Sequence, residues 1–341
     1  TPKEFLRFSR TCKEADAAVS AYIAKAFDVD KRLRRFFSDP LAFRHIQART
    51  ATLISGSFAL QLFDRTSYMS SDLDLYLHLE HRRTVGRWLL DEAGYSFSPY
   101  RGQEEDFESA VLHKISRRGI RYSMPGVADI LTFRKAQIGG DTLKVQLIVA
   151  RRTPMEVVLG FHSTCVMNVI SYQQAYCLFP HATVESHRSL LSWSSQSRST
   201  RRAEGLEKYK KRGFHMEHHL SPAELSAPIR ESATPFALGP RWLGDADTWV
   251  IPLETSYIPY PPPPNPYSTG LYRDPVSVAS FSVRYDPSDG AIMTFSVIES
   301  EALKYAYALG DEGLADYLSC ILGFKEMDNL TNLGYALEDI R

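Results

Sequence analysis

At 341 residues the chain is long enough for one large domain or two ordinary ones, with ample length to bury a core. Lysine plus arginine and aspartate plus glutamate both total 40, so net charge steers it toward neither nucleic acid nor an anionic membrane, and any basic site must be local. No apolar run approaches the roughly 20 residues that cross a bilayer, and Cys12, Cys165, Cys177 and Cys320 match neither a zinc pattern nor a disulfide framework; with the polar segment that follows Thr1, this predicts buried thiols in an intracellular protein, cytoplasmic or nuclear.

In chain order, Thr11 to Phe27 carries Ala18, Tyr22 and Ala26 at a helical interval, and Leu33, Phe36 and Phe37 continue the pattern to Asp39-Pro40. The cluster Lys31-Arg32-Leu33-Arg34-Arg35 is able to contact phosphates, but a solvated helix face is the preferred reading. Leu41 to Arg49 predicts a helix leading into a first strand at Leu53-Ile54. That strand ends in Ser55-Gly56-Ser57 and passes into Phe58 to Phe63, a helix start whose free N–H groups favour an anion. From Ser71 to Leu79 apolar residues take every second position, so a strand puts four leucines on one face and Asp72, Asp74, Tyr76 and His78 on the other. Same-face neighbours are about 7 Å apart, close enough for Asp72 and Asp74 to hold one hard cation such as Mg2+ or Mn2+.

Beyond it, His81 to Ala93 predicts a helix ended by Gly94, and the acidic Gln103 to Glu108 a solvated first turn of a helix running to Lys114. Val127 to Arg134 and Leu143 to Val149 flank Gly139-Gly140-Asp141 as a hairpin. Pro154 to Leu159 and Phe161 to Tyr176 are expected to be helices, with His162, Ser163 and Cys165 as satisfied packing rather than a nucleophilic pair. A serine-rich stretch then precedes a basic helix over residues 198–213, capped by Gly213 and carrying Lys208, Lys211 and Arg212. His215, His218 and His219 lack companion ligands for a metal. Pro222 to Pro240 is expected to be extended, Asp245-Ala246-Asp247 a surface turn, and residues 257–266 a polyproline II connector. Val276 to Tyr285 and Ala291 to Ile298 form a second hairpin, followed by helices over Glu301 to Leu309 and Leu314 to Leu322.

Gly56-Ser57-Phe58-Ala59-Leu60, then Arg65, then Ser71-Asp72-Leu73-Asp74-Leu75 resembles the first motif of the nucleotidyltransferase superfamily to which DNA polymerase β belongs. The wording is similar to that of nucleotidyltransferase toxins of bacterial abortive-infection systems, and closer to a set of fungal nucleotidyltransferase-fold proteins. Fourteen residues separate Ser57 from Asp72, slightly more than the family uses. The resemblance implies an α/β (α+β) nucleotidyltransferase-fold core over residues 51–180, with a mixed sheet flanked by helices. Residues 1–50 would pack helices on it, and residues 181–341 would form a C-terminal α+β region. It further implies Mg2+-dependent transfer of a nucleoside monophosphate from a nucleoside triphosphate to an acceptor hydroxyl on RNA, protein or a small molecule. Gly56 and Ser57 would hold phosphate, Asp72 and Asp74 the metal, and Lys208, Lys211 or Arg212 the triphosphate. The family's third carboxylate position matches Gln146, whose neutral oxygen adds no charge and accepts no proton. Asp129, on the partner strand, is the substitute to consider, although alternation places it among core residues. The competing expectation is a degenerate member that binds nucleotide, RNA or a protein partner without turnover.

Overall fold

The structure, a computed structural model, describes residues 1–68, 71–112, 125–137, 139–192, 200–226, 235–258, 274–300, 303–322 and 328–331. Helices α1 (Pro2–Ser9), α2 (Lys13–Ala26), α3 (Val29–Leu33) and α4 (Pro40–Thr50) come first. Each starts on a side chain that accepts an otherwise unpaired N–H: Thr1 with Glu4 as a capping box, the Cys12 sulfur, Asp28, and Asp39 ahead of Pro40. There follow β1 (Leu53–Ser55), α5 (Gly56–Phe63), β2 (Leu73–Leu77), α6 (Arg82–Asp91), β3 (Ser96–Phe97), α7 (Phe107–Leu112), β4 (Val127–Ala136), β5 (Thr142–Ala150), α8 (Pro154–Leu159), β6 (Asn168–Ile170) and β7 (Gln174–Cys177). The remainder comprises β8 (Arg188–Leu190), α9 (Thr200–Lys211), β9 (His215–Glu217), α10 (Pro222–Ser226), β10 (Gly239–Trp242), β11 (Trp249–Pro252), β12 (Ser280–Asp286), β13 (Gly290–Ile298), β14 (Tyr307–Leu309), α11 (Glu312–Leu322) and β15 (Asp328–Thr331).

The fold is α+β. Eight strands form a mixed sheet in the order β11-β7-β6-β1-β2-β5-β4-β3, in which β2 and β5 are parallel and the other pairs antiparallel. Strand β11 comes from the C-terminal region and closes one edge. A second sheet, β10-β12-β13-β14 with β15 on β13, carries the predicted hairpin of β12 and β13.

Strand alternation divides the main sheet's side chains between two cores. Leu73, Leu75, Leu77, Val145, Leu147 and Val149 pack with Phe37, Phe43 and Trp88 of the helical layer. On the other face Tyr76, Ile130 and Ile148 pack in the same core as Phe281, Val283 and Met293 of the second sheet. That cover stops short of one end of β2 and β5, where Asp74, Lys144 and Gln146 remain half-buried. No described helix is long and apolar enough to cross a membrane.

Several expectations fail here. Residues 161–176 are not a helix: after a 3-10 turn at Thr164–Val166 the chain makes the hairpin of β6 and β7. The Ser171 hydroxyl accepts from the N–H groups of Gln173 and Gln174 at 3.2 and 3.1 Å, a local turn that competes with helix. Val169 and Ile170 are buried on opposite faces, which leaves a continuous apolar run without a diagnostic period. Tyr307–Leu309 is strand β14 on β13 rather than helix. Pro222–Ser226 forms one helical turn and Gly239–Trp242 a strand where an extended segment was expected, and residues 259–273, most of the proline-rich connector, lie outside the described residues. Asp245 is no surface group: its carboxylate is buried against Arg241 at 2.5 and 3.1 Å, with Thr248 and the Leu178 carbonyl taking further guanidinium hydrogens. Of the four cysteines, Cys165 and Cys177 are buried, whereas Cys12 and Cys320 are exposed.

Candidate functional site

The uncovered end of the sheet coincides with the start of α5. Gly56 takes a left-handed φ of +66°, a conformation that β-carbons disfavour, and an added Cβ would lie 3.2 Å from the Asp74 Oδ2 atom. The backbone that opens the helix therefore lies directly against the carboxylate at the end of β2. Ser55 hydrogen-bonds the Asn168 carbonyl through its hydroxyl, so it places β1 on β6 rather than capping α5, and no side chain caps that helix end.

Asp72 and Asp74 are brought together as the alternation predicts. Burial first, and the neighbouring Asp72 charge second, push the Asp74 carboxyl up to about 6. Lys144 Nζ is 2.5 Å from Asp72 Oδ2 and partly offsets the paired negative charge. Lys144 was not singled out in the sequence, yet it stands two residues before Gln146 and so shares its face. Gln146 is the direct register partner of Asp74 across the parallel strands, and its amide nitrogen lies 3.4 Å from the Thr132 hydroxyl. Asp129 does not replace it. It pairs with Val149 beside a bulge, three residues along β4 from Thr132, or roughly 10 Å down the sheet.

The basic helix also reaches the site. Arg212 donates to the Ser57 hydroxyl at 3.1 Å, and the same hydroxyl lies 3.0 Å from the Tyr209 phenol. Arg212 stacks 3.8 Å above the Tyr68 ring, which fixes the guanidinium plane. Lys208 lies within electrostatic reach of both aspartates; burial lowers its ammonium pKa, with Arg212 acting in the same direction and Asp74 and Asp72 opposing. Lys211 stays exposed.

Helix α9 is held at both ends. Arg202 donates to the Ser192 carbonyl at 2.5 Å, while β9, just beyond Gly213, pairs with β8 through Arg188 and Glu217. Gly205 permits close docking, since a Cβ there would lie 3.1 Å from His162 Nε2. The His162 ring is buried and pulled down to about 4, mainly by desolvation and then by Arg202 and Lys208, so it is neutral near pH 7. Its Nδ1 pairs with the Ser163 hydroxyl at 2.8 Å, and burial pushes the Cys165 thiol up to about 11, consistent with packing rather than a nucleophilic pair. His78 leaves the aspartate row: its Nδ1 is 3.2 Å from the Arg152 carbonyl and its ring stacks on Tyr305.

No three or more His, Cys, Asp or Glu side chains among the described residues form a metal-holding group, and His215, His218 and His219 gain no companion ligands. The site therefore offers the two carboxylates of Asp72 and Asp74, a neutral oxygen at Gln146, a free helix opening, and the cations Lys144, Lys208 and Arg212. No family model, curated protein or solved structure matches the chain.

The cationic side makes a separable prediction. If the site takes a nucleoside triphosphate, Lys208→Gln is expected to weaken its binding about tenfold while changing monophosphate affinity much less, because the lost charge-assisted contact would be to the outer phosphates. Lys211→Gln, on an exposed neighbour, serves as the control. Equal weakening of both ligands by Lys208→Gln, measured by calorimetry, would place that lysine outside a triphosphate site.

Proposed function

We propose that the protein binds a nucleoside triphosphate with Mg2+ or Mn2+ and transfers its nucleoside monophosphate to an acceptor hydroxyl. The carrying observation is the contact between the opening of α5 and the end of β2, with Gly56 against Asp74 and the α9 cations converging on Ser57. The donor set fits one divalent ion held by Asp72 and Asp74; the Asp74 carboxyl is raised first by burial and then by the Asp72 charge, and a cation between them would offset the second. When bound, that ion would screen the triphosphate and polarise the phosphorus under attack.

The chain's own residues would do the remaining work. The N–H groups at the start of α5 would donate to phosphate oxygens, and Lys208 and Arg212 would hold the charge that grows on the departing pyrophosphate. The acceptor oxygen forms its bond to the α-phosphorus as the bond to the β-phosphate oxygen breaks. Its proton would pass to solvent, since Gln146 cannot take it.

A second reading is nucleotide binding without turnover. It is favoured by Gln146 at the third-carboxylate position and by Lys144 on Asp72, which together leave the acceptor side of the site without an anionic ligand. Incubation with each α-labelled nucleoside triphosphate, Mg2+ or Mn2+, and total RNA or protein as acceptor tests the first reading. Label transfer that Asp72→Ala with Asp74→Ala abolishes while the protein stays folded is the expected result. Binding of Mn2+ and triphosphate that the same double variant removes, without transfer by wild type, supports the second reading. Unchanged binding in the double variant would sink both.

A further inference from the structure

Of the basic cluster expected to lie on a solvated helix face, Lys31 and Arg34 are exposed, whereas Arg32 and Arg35 turn inward. Arg32 donates to the Thr66 carbonyl at 2.9 Å, and Arg35 to the Tyr68 carbonyl at 3.1 Å. They form one wall of a cleft of about 330 Å³ bounded by α2, α3, the start of α5 and the residues that lead into β2. Lys25 and Lys31 complete the cationic wall, and neither is ion-paired among the described residues. Asp28 is the single carboxylate lining the cleft among the described residues, and its Oδ1 already accepts the Lys31 N–H at 2.9 Å. Four cations against one anion are thus gathered in one concavity of a chain whose overall charge is zero.

We propose that this cleft binds a small phosphate ester of nucleoside monophosphate size, at a site separate from Asp72 and Asp74. Three features carry the assignment. The volume lies at the small end of the range of ligand pockets, too small for a folded partner. The cationic wall suits a dianionic phosphate, with Lys25 and Lys31 as point charges and the guanidiniums already oriented by the carbonyls they hold. Phe36, with the Arg35 guanidinium 5.1 Å over its ring, and Phe58, edge to face with it at 6.0 Å, also line the cleft, so an aromatic ligand would meet their apolar edges beside the cations. Burial also pulls the Arg32 guanidinium below its usual range, a cost that a bound anion would offset.

The cleft and the aspartate site share one structural element. Gln61 donates to the Ser57 carbonyl at 2.9 Å and to the Ser71 hydroxyl at 3.0 Å, and it accepts the Tyr68 N–H. It thereby ties the phosphate-facing opening of α5 to residues that line the cleft, with Tyr68 also carrying the Arg212 stack.

The test uses the full chain with Asp72→Asn and Asp74→Asn, in EDTA, so that metal-dependent binding is removed. AMP, CMP, GMP, UMP and inorganic phosphate are titrated separately by calorimetry. At least one monophosphate is expected to bind at one equivalent and more tightly than inorganic phosphate. Adding Lys25→Gln with Lys31→Gln, both exposed side chains whose loss leaves the fold in place, is expected to weaken it about tenfold or more, whereas Lys208→Gln leaves it unchanged. Absence of binding by all five probes would overturn the proposal. So would weakening by Lys208→Gln alone, which would assign the ligand to the aspartate site, or equal affinity for inorganic phosphate, which would remove the role of the aromatic side chains.

Discussion

Asp74→Asn is expected to stabilise the protein near pH 7.5 and, where Asp72 and Asp74 hold the proposed cation, to remove Mn2+ binding. Burial and Asp72 raise this carboxyl from 3.8 to about 6 in the folded chain. The folded state therefore holds its proton more tightly than the unfolded state between those values, and folding stability falls as pH rises across that window. Above it the loss is complete. Moving from 3.8 to about 6 sets an upper bound of about 3 kcal/mol, and the half-buried position of the group reduces the expected gain on neutralisation to about 1–2 kcal/mol. Near pH 4 the carboxyl is already protonated when folded, so the asparagine variant should show little gain there. Denaturant unfolding in EDTA at the two pH values checks this, with wild type alongside. A variant destabilised equally at both would show that native partners balance the ionised carboxylate. The same titration predicts that Mn2+ binding by wild type weakens as pH drops through about 6, because the ion needs the ionised carboxylate.

How much of this was legible in the sequence follows from which signals are local. The Asp72-Leu73-Asp74 alternation, the glycine between β1 and α5, and the hairpins of β4 with β5 and β12 with β13 are set within a few residues, and all are found where the pattern puts them. Helix α9 was equally legible as a helix. Its approach to Ser57 was not, because that depends on Gly205 against His162 and on the pairing of β8 with β9, contacts between distant parts of the chain. The β6 and β7 hairpin was missed because both its faces are buried, which erases the period-two signal that marks a half-exposed strand. Arg32 and Arg35 looked solvated because composition reports charge and not direction; their carbonyl partners, Thr66 and Tyr68, are more than 30 residues away. Gln146 was singled out by the family resemblance alone; Lys144 stands two residues before it, and a same-face reading of β5 pairs that lysine with the aspartates.

Gln146→Asp is the substitution expected to change activity most. The Cα atoms of Gln146 and Asp74 are register partners, so an aspartate there would project from the same face one strand away, beside Lys144 two residues earlier. Without metal the new charge adds to the Asp72 and Asp74 pair, and the variant should unfold more easily in EDTA than wild type. With Mn2+ the order should reverse, since three carboxylates bind a cation that two hold weakly. An anionic ligand on the acceptor side also supplies the charge stabilisation that glutamine cannot, worth several kcal/mol where it acts in the transition state. Each 1.36 kcal/mol is a factor of ten, so transfer of labelled nucleoside monophosphate should rise by about a hundredfold or more, with a smaller change in triphosphate affinity. Robust wild-type transfer that the substitution leaves unaltered would mean that substrate oxygens complete the site without position 146. Metal-dependent stabilisation without any transfer, across all four nucleotides, would leave the catalytic reading without support and the nucleotide-binding one intact, because the ion would then be held at the aspartates with no acceptor chemistry attached to it.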